Sequence, residues 1–155
     1  MIEHGESGAM GLVVNRSAPL TLGELAEGQA MPIASQRKDA AVFVGGPVEP
    51  HRGFVLHDSP DIEEKQEVLP GLYLSMTLDA LAPLLEAQDG RLRFCLGCAG
   101  WGPQQLESEI ASGSWLFTEA AADPLFAQEP GQLWDHTLRG MGVDPAMLVA
   151  GKGMN

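Results

Sequence analysis

The side chains best equipped for chemistry are Cys95 and Cys98, His57 followed by Asp58, and those around the turn Gly100-Trp101-Gly102-Pro103. Cys95-Leu96-Gly97-Cys98 has the Cys-x-x-Cys spacing that suits half of a tetrahedral zinc site or a dithiol redox pair. A complete metal site needs two more ligands, and His4, His51, His57 and His136 are not paired at metal-binding spacing. Dithiol oxidoreductases carry the reactive thiol at a helix start, whereas the helix read here opens at Pro103, five residues after Cys98. Two thiols on or beside a strand are the simpler reading, and a reactive Cys98 near a helix N-terminus is the sharper alternative.

Free N–H groups at the start of the helix after Pro103 could receive a carboxylate or phosphate. The same glycines would equally let that helix pack close to a sheet while Trp101 fills the gap. Gly45-Gly46-Pro47 is a second such turn and a candidate second wall of one site. His57 ends an apolar strand, so an acid–base pair with Asp58 can be imagined, but neighbours on a strand point to opposite faces, and a strand-end histidine that hydrogen-bonds a loop is the simpler reading. Arg16, beside Asn15, could bind an anion or be an ordinary solvated or salt-bridged group. The chain lacks Gly-x-Ser-x-Gly, His-Glu-x-x-His and Ser-x-x-Lys, and the terminal Gly151-Lys152-Gly153 lacks the rest of a phosphate loop. Nothing calls for a cofactor or a metal.

These residues need a scaffold. Met10–Arg16 has the β-branched centre of a buried strand, and Thr21-Leu22-Gly23-Glu24 reads as a capping box that starts a short helix. Residues 28–40 read as a loop. Ala41–Val44 and Gly53–His57 are strands whose short connection predicts a hairpin, and Leu72–Ser75 follows the acidic loop 58–67. Thr77 caps a helix bearing Leu78, Leu81, Leu84 and Leu85, with Pro83 as a kink. From Arg91 to Cys98 the alternation puts Leu92, Phe94 and Leu96 on the buried face. A glycine break, a helix from Pro103 to Gly113, and a strand over Ser114–Thr118 complete the centre. Asp123-Pro124 opens a short helix, Pro130–Met141 is amphipathic, and Asp144-Pro145 caps a last one. Strands and helices mix without regular βαβ alternation, so the fold class is α+β in a single domain, 1–155.

Composition narrows the function. Twenty-one acidic against nine basic residues leave a net charge of −12, which disfavours direct nucleic-acid binding. No apolar run is long enough for a membrane helix, and no signal peptide opens the chain, so a cytoplasmic location is expected. Two cysteines make no disulfide framework.

Five segments together resemble the YqgE/AlgH family of bacterial proteins: Gly8–Arg16, Val44–Val48, Gly53–His57, Ala99–Leu106 and the Trp115-Leu116 pair. The resemblance implies a mixed or antiparallel sheet curled into a pseudo-barrel with helices around it. It implies little chemistry, and the transcriptional-regulator label the family often carries is not a mechanism. Two departures stand out: Cys98 where the family more often has an aromatic residue, and a start at Met1 where the family usually has a further strand segment. The second departure predicts that the first strand lacks a partner and that its open edge invites pairing with a second copy of the chain.

The leading expectation is a non-enzymatic binding or regulatory module whose partner is a protein or a small anionic ligand. Its surface is read as Asn15, Arg16, Gly45, Gly46, Pro47, His57, Trp101, Gly102, Pro103 and Gln105, because the family-like residues concentrate in loops. The alternative is a small hydrolase using His57 or a thiol-dependent enzyme using Cys98.

Overall fold

A tight hairpin opens the chain, β1 (Glu3–Gly5) turning into β2 (Gly8–Gly11) with Glu3 opposite Met10. The computed structural model describes residues 1–152, so Gly153 of the terminal Gly-Lys-Gly lies outside it. The remaining strands are β3 (Ser17–Thr21), β4 (Ala41–Val44), β5 (Val48–His57), β6 (Gln66–Leu69), β7 (Leu72–Ser75) and β8 (Leu92–Trp101). The helices are α1 (Leu22–Gly28), α2 (Leu78–Glu86), α3 (Gln105–Ala111), α4 (Ala122–Ala127), α5 (Pro130–Gly140) and α6 (Pro145–Lys152). The eight-stranded sheet runs β1-β2-β8-β5-β7-β6 with the β3–β4 pair alongside. It is antiparallel except where β4 meets β8, and it curls into a half-barrel with the helices around it.

Local signals place α1 and α2 as expected. Thr21 Oγ1 accepts from the Glu24 N–H and Glu24 Oε2 accepts from the Thr21 N–H, each at 3.2 Å, so the capping box is complete. Thr77 Oγ1 accepts from the Ala80 N–H, and Leu81, Leu84 and Leu85 are buried. Leu78, at the first helical position, stays exposed. Pro83 sits inside α2, where it has no N–H to give to the preceding turn.

The strand β8 organises the sheet. On one edge it pairs antiparallel with β5, Phe54 opposite Cys95 and His57 opposite Leu92. On the other edge it pairs parallel with β4 at Phe43 and Val44, then antiparallel with β2 at Ala9–Gly11. The expected β4–β5 hairpin is therefore absent, because β8 lies between the two strands. To reach the far edge, the chain after Val44 must cross β8 near Gly97 and Cys98. Three glycines make that crossing sterically possible. A Cβ on Gly45 would stand 2.2 Å from the Gly97 carbonyl oxygen, and one on Gly46 would stand 2.2 Å from the Cys98 carbonyl carbon. Gly97 itself has φ +78° and faces the Gly46 carbonyl oxygen at 2.3 Å from its would-be Cβ.

Both faces of β8 are covered, which corrects the one-sided burial read from its alternation. One face joins Phe94 with Val42, Val55, Leu22, Leu81 and Leu85 under α1 and α2. The other joins Cys95 with Phe43, Phe54, Leu56, Leu125 and Leu133 under α4 and α5. Arg93 and Cys95 are consequently more buried than Leu92 and Leu96.

Several strand expectations change. The first strand is shorter and earlier than Met10–Arg16, since beyond Gly11 only isolated bonds hold the chain, such as Val13 N–H to the Gly45 carbonyl at 2.8 Å. It is not unpartnered: β1 and β8 flank β2, so the open edge belongs to β1. β6 forms within the acidic stretch because β7 offers it an edge, and β3 forms against β4. Ser114–Thr118 is not a strand, for no strand of the sheet lies beside it; strand propensity is expressed only where a neighbour completes the ladder.

Candidate functional site

The sequence-selected residues fall into two groups. Residues 8–16, 44–48 and 97–105 meet along the C-terminal half of β8, joined by the β2–β8 ladder, the glycine crossing and the Val44 N–H to Arg16 carbonyl bond at 2.8 Å. His57 does not join them. It sits opposite Leu92 at the other end of β8, a strand length of roughly 30 Å from Trp101 at the usual rise per residue.

In the first group the turn after β8 is closed on itself. The Gly102 N–H donates to Gln105 Oε1 at 3.0 Å, and Gln105 Nε2 donates to Glu109 Oε1 at 3.1 Å. Trp101 Nε1 donates to Glu109 Oε2 at 2.9 Å, and Trp115 Nε1 donates to the same oxygen at 2.7 Å. The bonds from Trp115, Gln105 and Trp101 hold the Glu109 carboxyl below its ordinary pKa. Pro103 is not the first residue of α3, which begins at Gln105 behind a left-handed Gln104 at φ +64°. The expected anion cradle is thus occupied by the protein's own Gln105, Glu109 and indole groups. Glu109 was missed from sequence; its spacing four residues after Gln105 on one helix face was the available signal. Gly45 and Gly46 are buried by the crossing, while Asn15, Arg16 and Pro47 are exposed.

His57 is fully buried. The Ser59 N–H donates to Nδ1 at 3.2 Å, which leaves the proton on Nε2 to be donated to Ser75 Oγ at 2.9 Å. The Ser75 hydroxyl in turn donates a hydrogen bond to the Glu64 carbonyl oxygen at 2.6 Å. The hydroxyl is therefore committed to a backbone carbonyl inside the fold and is no nucleophile. Burial pushes the His57 imidazolium below its ordinary pKa, against the pull of Asp58. Because the folded chain then binds fewer protons than the unfolded one, this stability term is present above the unfolded value of about 6.5 and is lost as pH falls below it. Denaturation midpoints should drop on acidification below that value, and the drop should be shallower in His57→Gln. Equal slopes for the two proteins would show that His57 does not titrate with unfolding.

The cysteines are equally enclosed. Burial pushes Cys95 up to about 12 despite Arg93 nearby, and burial with Glu49 raises Cys98. Neither supplies a thiolate at neutral pH. Among the described residues no three His, Cys, Asp or Glu side chains group as a metal site.

What the sequence did not show is a cavity of about 400 Å³ on the α4–α5 face of the sheet. Leu56 and Leu72 of the sheet, Leu12 and Val14 of the segment after β2, and Leu125 and Leu133 of α4 and α5 line it. Thr118, Glu119, His136 and Thr137 supply polar groups to the lining. Arg93, outside the lining, ties the segment at Val14 to the one between α4 and α5: its guanidinium donates to the Val14 carbonyl at 3.2 Å and the Gln128 carbonyl at 3.1 Å, and lies 4.6 Å from the Phe43 ring centre. The aliphatic residues among the lining come from separated segments of the chain, so no local pattern marks the cavity.

Fold and site together define an α+β half-barrel with sealed turns, an inward-facing histidine and an apolar cleft. The AlgH-like family model matches residues 1–146, and the chain belongs to that family. It is 70% identical to a UPF0301 protein of Myxococcus xanthus over 155 residues, covering 100% of this chain and 86% of the relative. A UPF0301 protein of Ruegeria pomeroyi is 41% identical, with 99% of this chain and 85% of the relative covered. The solution structure of the AlgH protein from Pseudomonas aeruginosa superposes with a TM-score of 0.72 at 34% identity, covering 96% of this chain and 80% of that one. A Corynebacterium diphtheriae crystal structure shares the fold at a TM-score of 0.65 and 18% identity, covering 88% and 73%. No helix among the described residues is long and apolar enough to cross a membrane.

Proposed function

We propose that the chain is a non-enzymatic binding module whose binding surface is the apolar cleft between the sheet and the α4–α5 arm. The observation that carries this reading is the cleft itself, about 400 Å³ and lined mainly by aliphatic side chains, with a few polar groups among them. That volume and chemistry fit the general form of ligand pockets. The reading moves the surface away from the turns first selected, because the Trp101–Gln105 turn spends its polar groups internally and Gly45 and Gly46 serve the crossing. It also sets the hydrolase and thiol readings aside, since neither His57 nor the two thiols line the cleft.

Gly140 provides a clean test. It lines the cleft, and a Cβ added there meets nothing within 4 Å. Gly140→Phe should obstruct the cleft while leaving the melting temperature close to that of the parent. An environment-sensitive apolar dye such as anilinonaphthalene sulfonate should light up on the parent and bind the variant about tenfold more weakly. Equal dye binding by both proteins, with the variant folded, would contradict the proposal.

A further inference from the structure

The segment after α3 has the side chains of a strand and, among the described residues, no strand to pair with. Residues 115–120 neither donate nor accept a backbone hydrogen bond with other described residues. Trp115, Leu116 and Phe117 are 48, 56 and 76% exposed, an apolar run of the kind that solvated loops do not require. The segment continues directly into the cleft, which Thr118, Glu119, Ala120 and Ala121 line together with Met1 and Ile2. Backbone donors and acceptors with no partner among the described residues, beside an apolar cleft, are what a peptide needs in order to add as a strand: the backbone supplies the ladder and the pockets take alternate side chains.

Resting on the proposed binding reading, we infer that the cleft's natural occupant is an extended peptide strand of a partner protein, paired through its backbone with residues 115–120 and placing alternate apolar side chains in the cleft. Charge sets the flanks of that strand. The chain carries a net charge of −12 and presents Glu119 at the rim, so basic residues on either side of the apolar core are favoured over acidic ones.

The probe is a fluorescein-labelled peptide, Lys-Lys-Val-Thr-Val-Thr-Val-Lys-Lys, titrated with the intact chain and read by anisotropy. Two further peptides carry N-methyl groups on alternate backbone amides, one in each register, which removes donors without changing side chains. Antiparallel or parallel addition uses the N–H groups of alternate residues, so one register should bind at least tenfold more weakly and the other close to the parent peptide. Replacing the flanking lysines with glutamates should weaken binding several-fold. Equal affinity of the parent and both methylated peptides overturns strand addition, as does dye binding without any peptide binding. In both cases the cleft remains a binding site. Loss of both dye and peptide binding removes the binding reading itself. A dimer in sedimentation that the peptide cannot dissociate assigns the segment to a second copy and overturns the partner-peptide inference.

Discussion

Gly46→Ala should destabilise the fold by about 3–5 kcal/mol, the range of the most severe single substitutions. The new Cβ would lie 2.2 Å from the Cys98 carbonyl carbon, 2.3 Å from its oxygen and 2.5 Å from the Ala99 nitrogen. All three are backbone atoms of the central strand, so no side chain can swing aside. The backbone at Gly46, φ +152°, adds strain for any residue with a Cβ. Relief requires the crossing segment to lift from β8, which would loosen both the β4 and the β5 pairings. The measurement is the urea midpoint at constant m-value, with Gly131→Ala as the control. Gly131 lies in α5 with nothing within 4 Å of its would-be Cβ, and there alanine should be neutral or mildly stabilising. A Gly46→Ala protein within about 1 kcal/mol of the parent would mean that the crossing is looser than described.

Arg93→Met should cost about 2–4 kcal/mol through the two carbonyls it leaves without a donor. A buried charge is often dispensable when a well-packed apolar residue replaces it together with its partner. Here the partners are the backbone oxygens of Val14 and Gln128, which cannot be replaced, and methionine gives them nothing. The lost contact of the guanidinium with the Phe43 ring adds to the effect. Arg93→Lys should recover only part of the loss, because one ammonium on a flexible stem does not reproduce a fork spanning two acceptors. Amide exchange should rise at residues 12–14 and 125–130 and stay unchanged under α1 and α2. A neutral or stabilising Arg93→Met would show that the arm is held by apolar packing alone.

The features that proved legible in the sequence are those whose cause is local. Thr21 with Glu24, and Thr77 before its leucines, mark helix starts because a cap needs only its own first turn. The strand at Leu72–Ser75 and the five family-like segments are similarly self-contained. The insertion of β8 between β4 and β5 was not legible, since nearness in sequence favours a hairpin and only the distant strand's competition for both edges defeats it. The clustering of Gly45, Gly46 and Gly97 could have signalled a crossing, but each glycine taken alone reads as a turn.

The same distinction explains the site. Trp101 and Gln105 read as part of a ligand or interaction surface, and in the structure both side chains bond Glu109. His57, ending an apolar strand beside Asp58, allows an acid–base pair to be imagined, although a histidine bonding a loop is the simpler reading. In a sheet covered on both faces it has no solvent to face. Trp115-Leu116-Phe117 read as a strand on propensity, and the reading failed only for want of a neighbour, which is why the segment now carries the inference about a peptide.

The central claim, that binding occurs in the α4–α5 cleft and not at the buried histidine or thiols, is tested most directly by amide chemical-shift mapping. Uniformly ¹⁵N-labelled chain is titrated with the apolar dye. The account predicts saturating shifts concentrated at Leu12, Leu69, Ala120, Leu133 and Gly140, with His57, Cys98 and Gly102 unmoved. Shifts centred on His57, Cys98 or the Trp101–Gln105 turn, with the cleft amides silent, would contradict it.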